Sequence, residues 1–535
     1  MATTYLAPGV YVEEVPSAQQ PIAGVGTNTV GFIGKVKKTF LYPMFNEDYD
    51  EYLAQALFRG SAKDATEDDK KLAAAAQTHL DRLTGGGDAG AKDRKSARQA
   101  LEAARDELTR RQGEASAAPP EGTGKELKKV DLKPLQTKVQ EAEAKLQQVL
   151  EAVSSEDKYL KPYRLGTFEV AADVLETKLC TNFTEFMDRF GPYPVDTPEF
   201  DDHRALTHAV AGFFKNGGTR CFVARIEDDS QLEAALLKFE SIDEIALLAA
   251  PGLVGQTNWN ALVAHCTKME DRFAILDCHL DVNEDPKSDE LDVKLLNYGG
   301  EKPSDFMPQR TKNAAFYFPY IEVVDPSKQL MDRDPKRDVW INNRGRLFVP
   351  PSGHVAGVYA RVDEQRGVHK APANEALFGV TNVRYYIGKR HQEMLNPQGV
   401  NCIRNINGAV TVYGGRTVGG DRNTEWKYVN VRRVMLFLKE SIDEGTQWVV
   451  FEPNDRALWA KIRLNVGAFL TRVWKSGALF GSTPQEAFYV KCDDETNPPE
   501  VRDVGQVIVE VGVAIVRPAE FVIFRVTQWA GPTKS

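Results

Sequence analysis

An aromatic-free run of 100 residues, Arg59–Lys158, most limits what this chain can fold into. Phe, Trp and Tyr make up 9% of the whole chain, so a stretch without them, and without Cys, has little to give a large mixed core. It is rich instead in Ala, Glu, Lys, Arg and Gln, which favour helices. Leu135, Val139, Ala142, Leu146, Val149 and Val153 step by four and three, a narrow apolar seam of helical period. Ala97, Leu101, Ala104 and Leu108 make a weaker stripe. Between the two, GEASAAPPEGTG carries Pro119, Pro120 and several glycines, which stop a helix. The expectation for residues 36–165 is an insertion built mainly as a helical hairpin, seam against seam; a solvated linker is the alternative.

The remaining sequence has the make-up of a soluble globular protein, 42% hydrophobic and 27% charged, and 535 residues exceed what one core holds. A formal net charge of −9 leaves no basic excess to neutralise phosphates, so no nucleic-acid partner is expected. No run approaches the ~20 apolar residues that cross a bilayer. The best, Ile245–Ala250, is stopped by Pro251 and Gly252, and the opening MATTYLAPG lacks the basic and apolar regions of a secretory leader. No direct membrane insertion is expected. Cys180, Cys221, Cys266, Cys278, Cys402 and Cys492 are scattered without a C-x-x-C pair, as reduced buried thiols would be.

After the insertion the pattern alternates between helix and strand. A helix over Arg204–Asn216 is followed by a strand in GGTRCFVARI. Further helices are expected near Ser230–Phe239 and Trp259–Met269, and strands at Glu244–Ala250 and Arg272–Asp277. Short apolar strands separated by helices predict a mostly parallel sheet covered on both faces. A strand starts at Ala314, and a polar loop runs to about Arg346. Helices are expected at Arg432–Glu444 and Arg456–Lys475. In Gln506–Val516 strict alternation puts Val507, Val509, Val511, Val513 and Ile515 on one strand face, and Phe521–Thr527 reads as a last strand. Gly9–Val15, between Pro8 and Pro16, is strand-like as well.

Catalytic motifs are hard to find. A phosphate loop ending at Gly34–Lys35 needs Gly at 29 and Ser or Thr at 36, where Thr29 and Val36 stand. A dinucleotide fingerprint from Gly24 fails at the same Thr29. His203 and His208 are five apart, a poor spacing for one metal on one helix face. Gly353–Glu375 gathers His354, Asp363, Glu364, Arg366 and His369; a structural loop with intersubunit ion pairs is preferred to a catalytic cluster. Gly414, Gly415, Gly419 and Gly420 read as loop glycines. A soluble α/β enzyme, with a ligand at the strand carboxyl ends near Pro251–Gly252 and Asp277–Cys278, remains the alternative function. A helical-hairpin adaptor would account for the insertion alone.

Several segments, in order, resemble the contractile tail-sheath family of myophage tails, R-type pyocins and phage-tail-like contractile injection systems. They are LAPGVYVEEVP (Leu6–Pro16), GFIG (Gly31–Gly34), FFKNGGTRCFVARI (Phe213–Ile226), VPPSGHVAGVYARVDEQRGVHKAPANE (Val349–Glu375), LNPQGVNCIR, YVNVRRV, GTQWVVFEPND, EAFYVKCD and PAEFVIFRV (Pro518–Val526). The resemblance covers both ends and most of the chain after about Thr167, and omits the insertion. It implies an α/β and α+β multidomain subunit. Residues 1–35 would hold an N-terminal arm and the first strands of an inner domain, 166–348 a middle α/β domain, and 349–535 the core domain with a C-terminal arm. The inner sheet, drawn from the N- and C-terminal segments, would be completed by neighbours' terminal strands. Val10, Tyr11, Val12 and Glu13 would form one arm, and Val522, Ile523, Phe524, Arg525 and Val526 the other. Lys461, Arg463, Arg472 and Lys475 are the candidate tube-facing helix. The implied role is structural, without enzymatic activity or cofactor. The implied partners are further copies in stacked hexameric rings, an inner tube, and baseplate and terminal cap proteins. Assembly in the cytoplasm, then residence in a phage tail or phage-tail-like injection particle, completes the expectation.

Overall fold

A computed structural model of the chain describes residues 21–84, 157–283, 290–298, 305–337 and 343–525, with a few helical positions between 100 and 141. Both apolar seams of the insertion fall outside these residues. The chain divides into two compact units, one comprising residues to Phe40, Phe168–Asp325 and Arg346–Ser535, the other Leu41–Thr167 and Pro326–Gly345.

The helices of the first unit are α3 (Phe183–Phe190), α4 (Asp201–Lys215), α5 (Leu232–Phe239), α6 (Gln256–Met269), α8 (Ser352–Arg366), α9 (Lys389–Leu395), α10 (Val429–Thr446) and α11 (Arg456–Lys475). In the second unit are α1 (Glu51–Gly60), α2 (Glu67–Thr84) and α7 (Pro326–Met331).

The first unit is organised by a nine-stranded mixed sheet. Its strands are β1 (Val30–Lys35), β4 (Thr177–Cys180), β5 (Cys221–Ile226), β6 (Leu247–Ala249), β7 (Phe273–Asp277), β8 (Ala314–Phe318), β11 (Glu375–Ala376), β13 (Val400–Ile406) and β14 (Ala409–Val412). The order across it is β11-β14-β13-β8-β7-β6-β1-β5-β4, and the run from β13 to β5 is parallel. The sequence reading assigns β1 to an inner domain shared with the C-terminal segment. In the structure β1 is instead an interior strand of the α/β sheet, hydrogen-bonded on both sides. Its VGFIG run is apolar at consecutive positions because both faces are covered. Phe32 meets Phe213 of α4, and Gly34 leaves room for Leu206. On the other face Gly31 admits Phe239 of α5, and Ile33 joins the core built with Trp259 and Leu262 of α6.

Residues Gly353–Glu375 are not the expected loop. Ser352–Arg366 is α8, buried between α4 and the sheet, and the Asp363 ion pair is made within the chain, to Arg433. Small residues allow this: a Cβ on Gly353 would stand 2.3 Å from the Ala209 backbone. Asp277, ending β7, receives the start of α8, with Ser352 donating its N–H at 2.8 Å and its hydroxyl at 2.6 Å. Burial pushes the Asp277 carboxyl up to about 7, against these bonds and one from the Gly252 N–H.

A smaller antiparallel sheet orders β10 (Arg346–Val349), β9 (Ile321–Val324) and β12 (Val380–Val383), and β15 (Phe488–Lys491) pairs with β16 (Glu510–Val513). The chain leaves for the second unit along β2 (Thr39–Phe45) and returns along β3 (Tyr163–Glu169), which pair with each other. In that unit the Asn46 amide donates to the Lys158 and Lys161 carbonyls, closing the neck of the insertion. Asp50 caps α1, and Thr66 and Asp69 cap α2 reciprocally. The expected polar loop before Arg346 contains α7.

Two outcomes follow from this packing. Gly353→Ala should destabilise the chain by about 1–3 kcal/mol in urea titration, because the new methyl must force α4 and α8 apart. The folded chain retains a proton on Asp277 that the unfolded chain releases between 3.8 and about 7. Thermal stability relative to Asp277→Asn should fall as pH rises through that window.

Candidate assembly surface

The strand carboxyl ends, where an α/β enzyme binds its ligand, are filled by protein. Asp277 is spent on the start of α8, and its carbonyl accepts the Trp259 indole N–H at 3.1 Å. His203 and His354 are buried against Phe40 and Gly212, and burial lowers each to about 3. His208, also buried, lies 3.3 Å from Asp325. All six cysteines are free and buried. Among the described residues no group of three or more His, Cys, Asp or Glu is placed to hold a metal, and no helix is long and apolar enough to cross a membrane. A hollow of about 280 Å³ is lined by Asp243, Glu244, Asp271, Glu440 and Glu444. Burial, then the charges of Asp271, Glu444, Asp443 and Asp243, raise Glu440 there.

The two ends of the described chain are more informative. Val10, Tyr11, Val12 and Glu13 lie outside the described residues. The segment that follows them is laid along one stripe of α10. Ile22 packs on Gly445, the Val25 N–H donates to the Ser441 hydroxyl at 3.1 Å, and Gly24 faces Phe437. Arg433 donates to the Thr27 carbonyl at 2.8 Å. Positions 433, 437, 441 and 445 repeat every four residues, one face of a helix. Arg433 also grips Asp363 through both guanidinium nitrogens, and the Thr27 hydroxyl donates to the same carboxylate at 2.7 Å.

At the other end, β15 and β16 form a ribbon of only two strands. Such a ribbon is marginal alone and needs a packed face. Val507, Val509, Val511, Val513 and Ile515, on one face as their alternation predicts, supply it by packing onto Trp459, Ile462, Phe469 and Leu470 of α11 and their neighbours. The strand proper is shorter than Gln506–Val516, because the Asn497 side chain takes up the backbone of Ile508. Among the described residues neither strand has a second partner strand.

The candidate basic residues all lie on α11. The structure turns Arg463 to the Cys492 carbonyl and Arg472 to the Ile22 carbonyl; Lys461, Arg472 and Lys475 are exposed and Arg463 is half-buried. The C-terminal expectation needs a correction: Phe521–Arg525 is not a strand in the single chain, and Val526 lies outside the described residues. A strand needs a ladder partner, and among the described residues it has none. Phe521, Val522, Ile523 and Phe524 are 68–85% exposed. Between α10 and α11, Phe451 is fully exposed and held at φ 68°, a conformation costly for a bulky side chain. Val450, Val504 and Ile508 are exposed too, and Asn454 joins the two loops by donating to the Gln506 carbonyl at 2.8 Å. Sequence reading missed Phe451, although it lies inside GTQWVVFEPND, because left-handed backbone leaves no mark in apolar periodicity.

Comparisons with known proteins agree with this picture. Residues 310–418 match the phage tail sheath protein central domain and residues 421–528 the phage tail sheath C-terminal domain. The tail sheath protein of Vibrio phage KVP40 is 26% identical over 186 residues, 34% of this chain and 26% of that protein. That of Burkholderia phage BcepMu is 28% identical over 179 residues, 32% of this chain and 36% of that one. A putative prophage major tail sheath protein of Pseudomonas aeruginosa is 27% identical over 214 residues, 38% and 53%. The match thus spans from about a quarter to about half the length of these curated relatives. Among solved structures, the anti-feeding prophage baseplate aligns with a TM-score of 0.54 at 29% identity, covering 67% of this chain and 90% of that one. The sheath complex of the extracellular contractile injection system PVC, in its contracted state, gives 0.54 at 28%, covering 67% and 88%. The fold and these matches agree, and the chain carries the central and C-terminal domains of the phage tail sheath family.

Proposed function

We propose that this chain is the repeating subunit of a contractile sheath, polymerising as stacked hexameric rings around an inner tube and shortening to drive that tube through a target envelope. The observation that carries the reading is the exposed apolar segment Phe521–Phe524, which follows in sequence a two-stranded ribbon whose outer edges have no partner strand among the described residues. An exposed apolar segment next to open strand edges is an aggregation hazard unless a partner is meant to take it. Strand addition between copies would fill the edges, with main-chain hydrogen bonds giving affinity and alternating side chains fixing register.

In this reading Val522–Val526 and, at the other end, Val10, Tyr11, Val12 and Glu13 are the intersubunit arms. Lys461, Arg463, Arg472 and Lys475 mark the helix offered to the tube, with Lys461, Arg472 and Lys475 the exposed members. The Phe451 loop is a further contact with another copy, its backbone strain relieved by packing. The insertion decorates the outside of the polymer. Baseplate and cap proteins close the ends, and the subunit needs no active site or cofactor. Contraction needs no fuel during the stroke, because an extended lattice that packs incompletely can relax into a denser one, each subunit contributing a little. The particle is a phage tail or a phage-tail-like injector assembled in the cytoplasm.

Negative-stain electron microscopy of the purified chain, alone and co-expressed with its tube protein, tests the reading. Striated hollow cylinders are expected; discrete particles under both conditions would overturn it. Deleting Met1–Ser17 should leave a folded monomer that no longer forms cylinders. Phe451→Gly should relieve about 1 kcal/mol of backbone strain, so the monomer melts no lower while polymer yield drops.

A further inference from the structure

The arm reading leaves open where the C-terminal arm stops being body and becomes arm, and one buried polar cluster answers it. The last backbone hydrogen bond before the arm, among the described residues, is donated by Val516 to Ala478 at 3.1 Å, and Asn430 donates to the Val516 carbonyl at 3.2 Å. Beyond it the chain is caught once more, by the side chain of Glu520. Arg416 meets this carboxylate with two nitrogens, Nε to Oε1 at 2.7 Å and Nη2 to Oε2 at 2.8 Å. The Asn396 amide donates to Oε1 at 2.7 Å and the Tyr428 hydroxyl to Oε2 at 2.9 Å, with Lys427 at 3.9 Å. One residue later Phe521 is exposed.

Arg416 is itself held. It is buried, donates to the Asn396 carbonyl at 2.8 Å and to Asp421 at 3.0 Å, and exchanges two backbone bonds of 2.7 Å with the side chain of Asn401. Asn401 belongs to β13, a strand of the nine-stranded sheet. A continuous path of hydrogen bonds therefore runs from the first residue inside the arm to the sheet, and it does not pass through the β15–β16 ribbon. Two-pronged guanidinium–carboxylate pairs fix direction as well as distance. Burial works against the charge on Glu520, but the bonds from Arg416 and Asn396, the Arg416 charge and Tyr428 outweigh it and hold the carboxyl below its usual range.

We propose that Glu520 is the fixed root of the C-terminal arm: it sets the arm's free length and passes tension on the arm through Arg416 and Asn401 into the central sheet. The statement rests on the arm reading for its consequence in the polymer, though not for the clamp itself. Without the clamp the last fixed point retreats from Glu520 to Val516, about 13 Å of extra reach at ~3.3–3.6 Å per residue. A neighbour engaged through a longer tether meets a lower effective concentration and a looser angle. Glu520 is thus a positioning residue for assembly.

The test uses the full chain as Glu520→Ala, with Glu520→Asp as the conservative variant and a chain ending at Glu520 as control. Hydrogen exchange of the unpolymerised protein should show the amides of Val516 and Arg416, both hydrogen-bonded beside the root, at least tenfold faster in Glu520→Ala, slowed again in Glu520→Asp, and the rest of the first unit unchanged. In micrographs Glu520→Ala should give at least tenfold fewer cylinders, or cylinders of altered axial repeat. Unchanged exchange at these amides overturns the clamp. Faster exchange with cylinders of normal yield and repeat overturns its role in setting the lattice. Should Glu520→Ala fail to fold, Glu520→Gln, which keeps the side-chain length but gives up the charge that Arg416 grips, decides on the same readouts. The chain ending at Glu520 separates the two ideas: if it still forms normal cylinders the arm reading fails, whatever exchange says of the clamp.

Discussion

The ion pair between Arg433 and Asp363, shared with Thr27, joins segments of the first unit that lie up to 406 residues apart in sequence. It binds α10 to α8, and through Thr27 it binds both to the segment that leads into β1. Removing one partner would leave a buried charge unmatched, which in buried pairs costs several kcal/mol. Its value here is as much registration as energy. Once Thr27 is placed, residues 22–27 fall along the 433–445 stripe of α10 and β1 enters the sheet in register with Cys221–Ile226. Arg472, reaching the Ile22 carbonyl, ties the same segment to α11. The N-terminal root and the Glu520 root are built differently, one as an extended segment zipped to a helix, the other as a single carboxylate in a socket.

Much of the architecture could be read from local pattern. The alternation of short apolar runs with helices after Thr167 predicted the parallel core, and five alternating residues in 507–515 predicted the face that packs on α11. The errors share a cause. Ser352–Arg366 carries charges at Asp363, Glu364 and Arg366 and was read as a loop, because its apolar surface, made of Val, Ala and Gly, surrounds much of the helix rather than one stripe. A helix buried on opposite sides loses the amphipathic signal on which periodicity depends. The resemblance grouped β1 with the C-terminal segment, whose β11, β13 and β14 do share its sheet, but its immediate neighbours are set by long-range register with β5 and β6, which no local window contains.

The candidate surface was legible to an uneven degree. Family resemblance pointed to the terminal strands, and the exposure of Phe521–Phe524 gives that idea a physical form. Basic composition pointed to α11, but composition cannot tell a lysine that reaches solvent from an arginine consumed by a carbonyl, which is the difference between Lys461 and Arg463. Glu520 and Phe451 carried no composition signal at all. One is defined by its four partners from distant segments, the other by a backbone torsion.

β1 also bears on how such a chain comes to be folded. Val30 pairs with Cys221 and Leu247, so the most hydrophobic early strand is synthesised about 190 residues before its first partner exists. At ~5–20 residues per second a ribosome needs on the order of ten seconds or more to supply it. During that interval VGFIG and the N-terminal segment are exposed together, while the aromatic-poor insertion that follows them emerges. The stretch 59–158, rich in charge and free of aromatic residues, offers a waiting strand little apolar surface to stick to, a composition that suits a segment made while the central sheet is still incomplete.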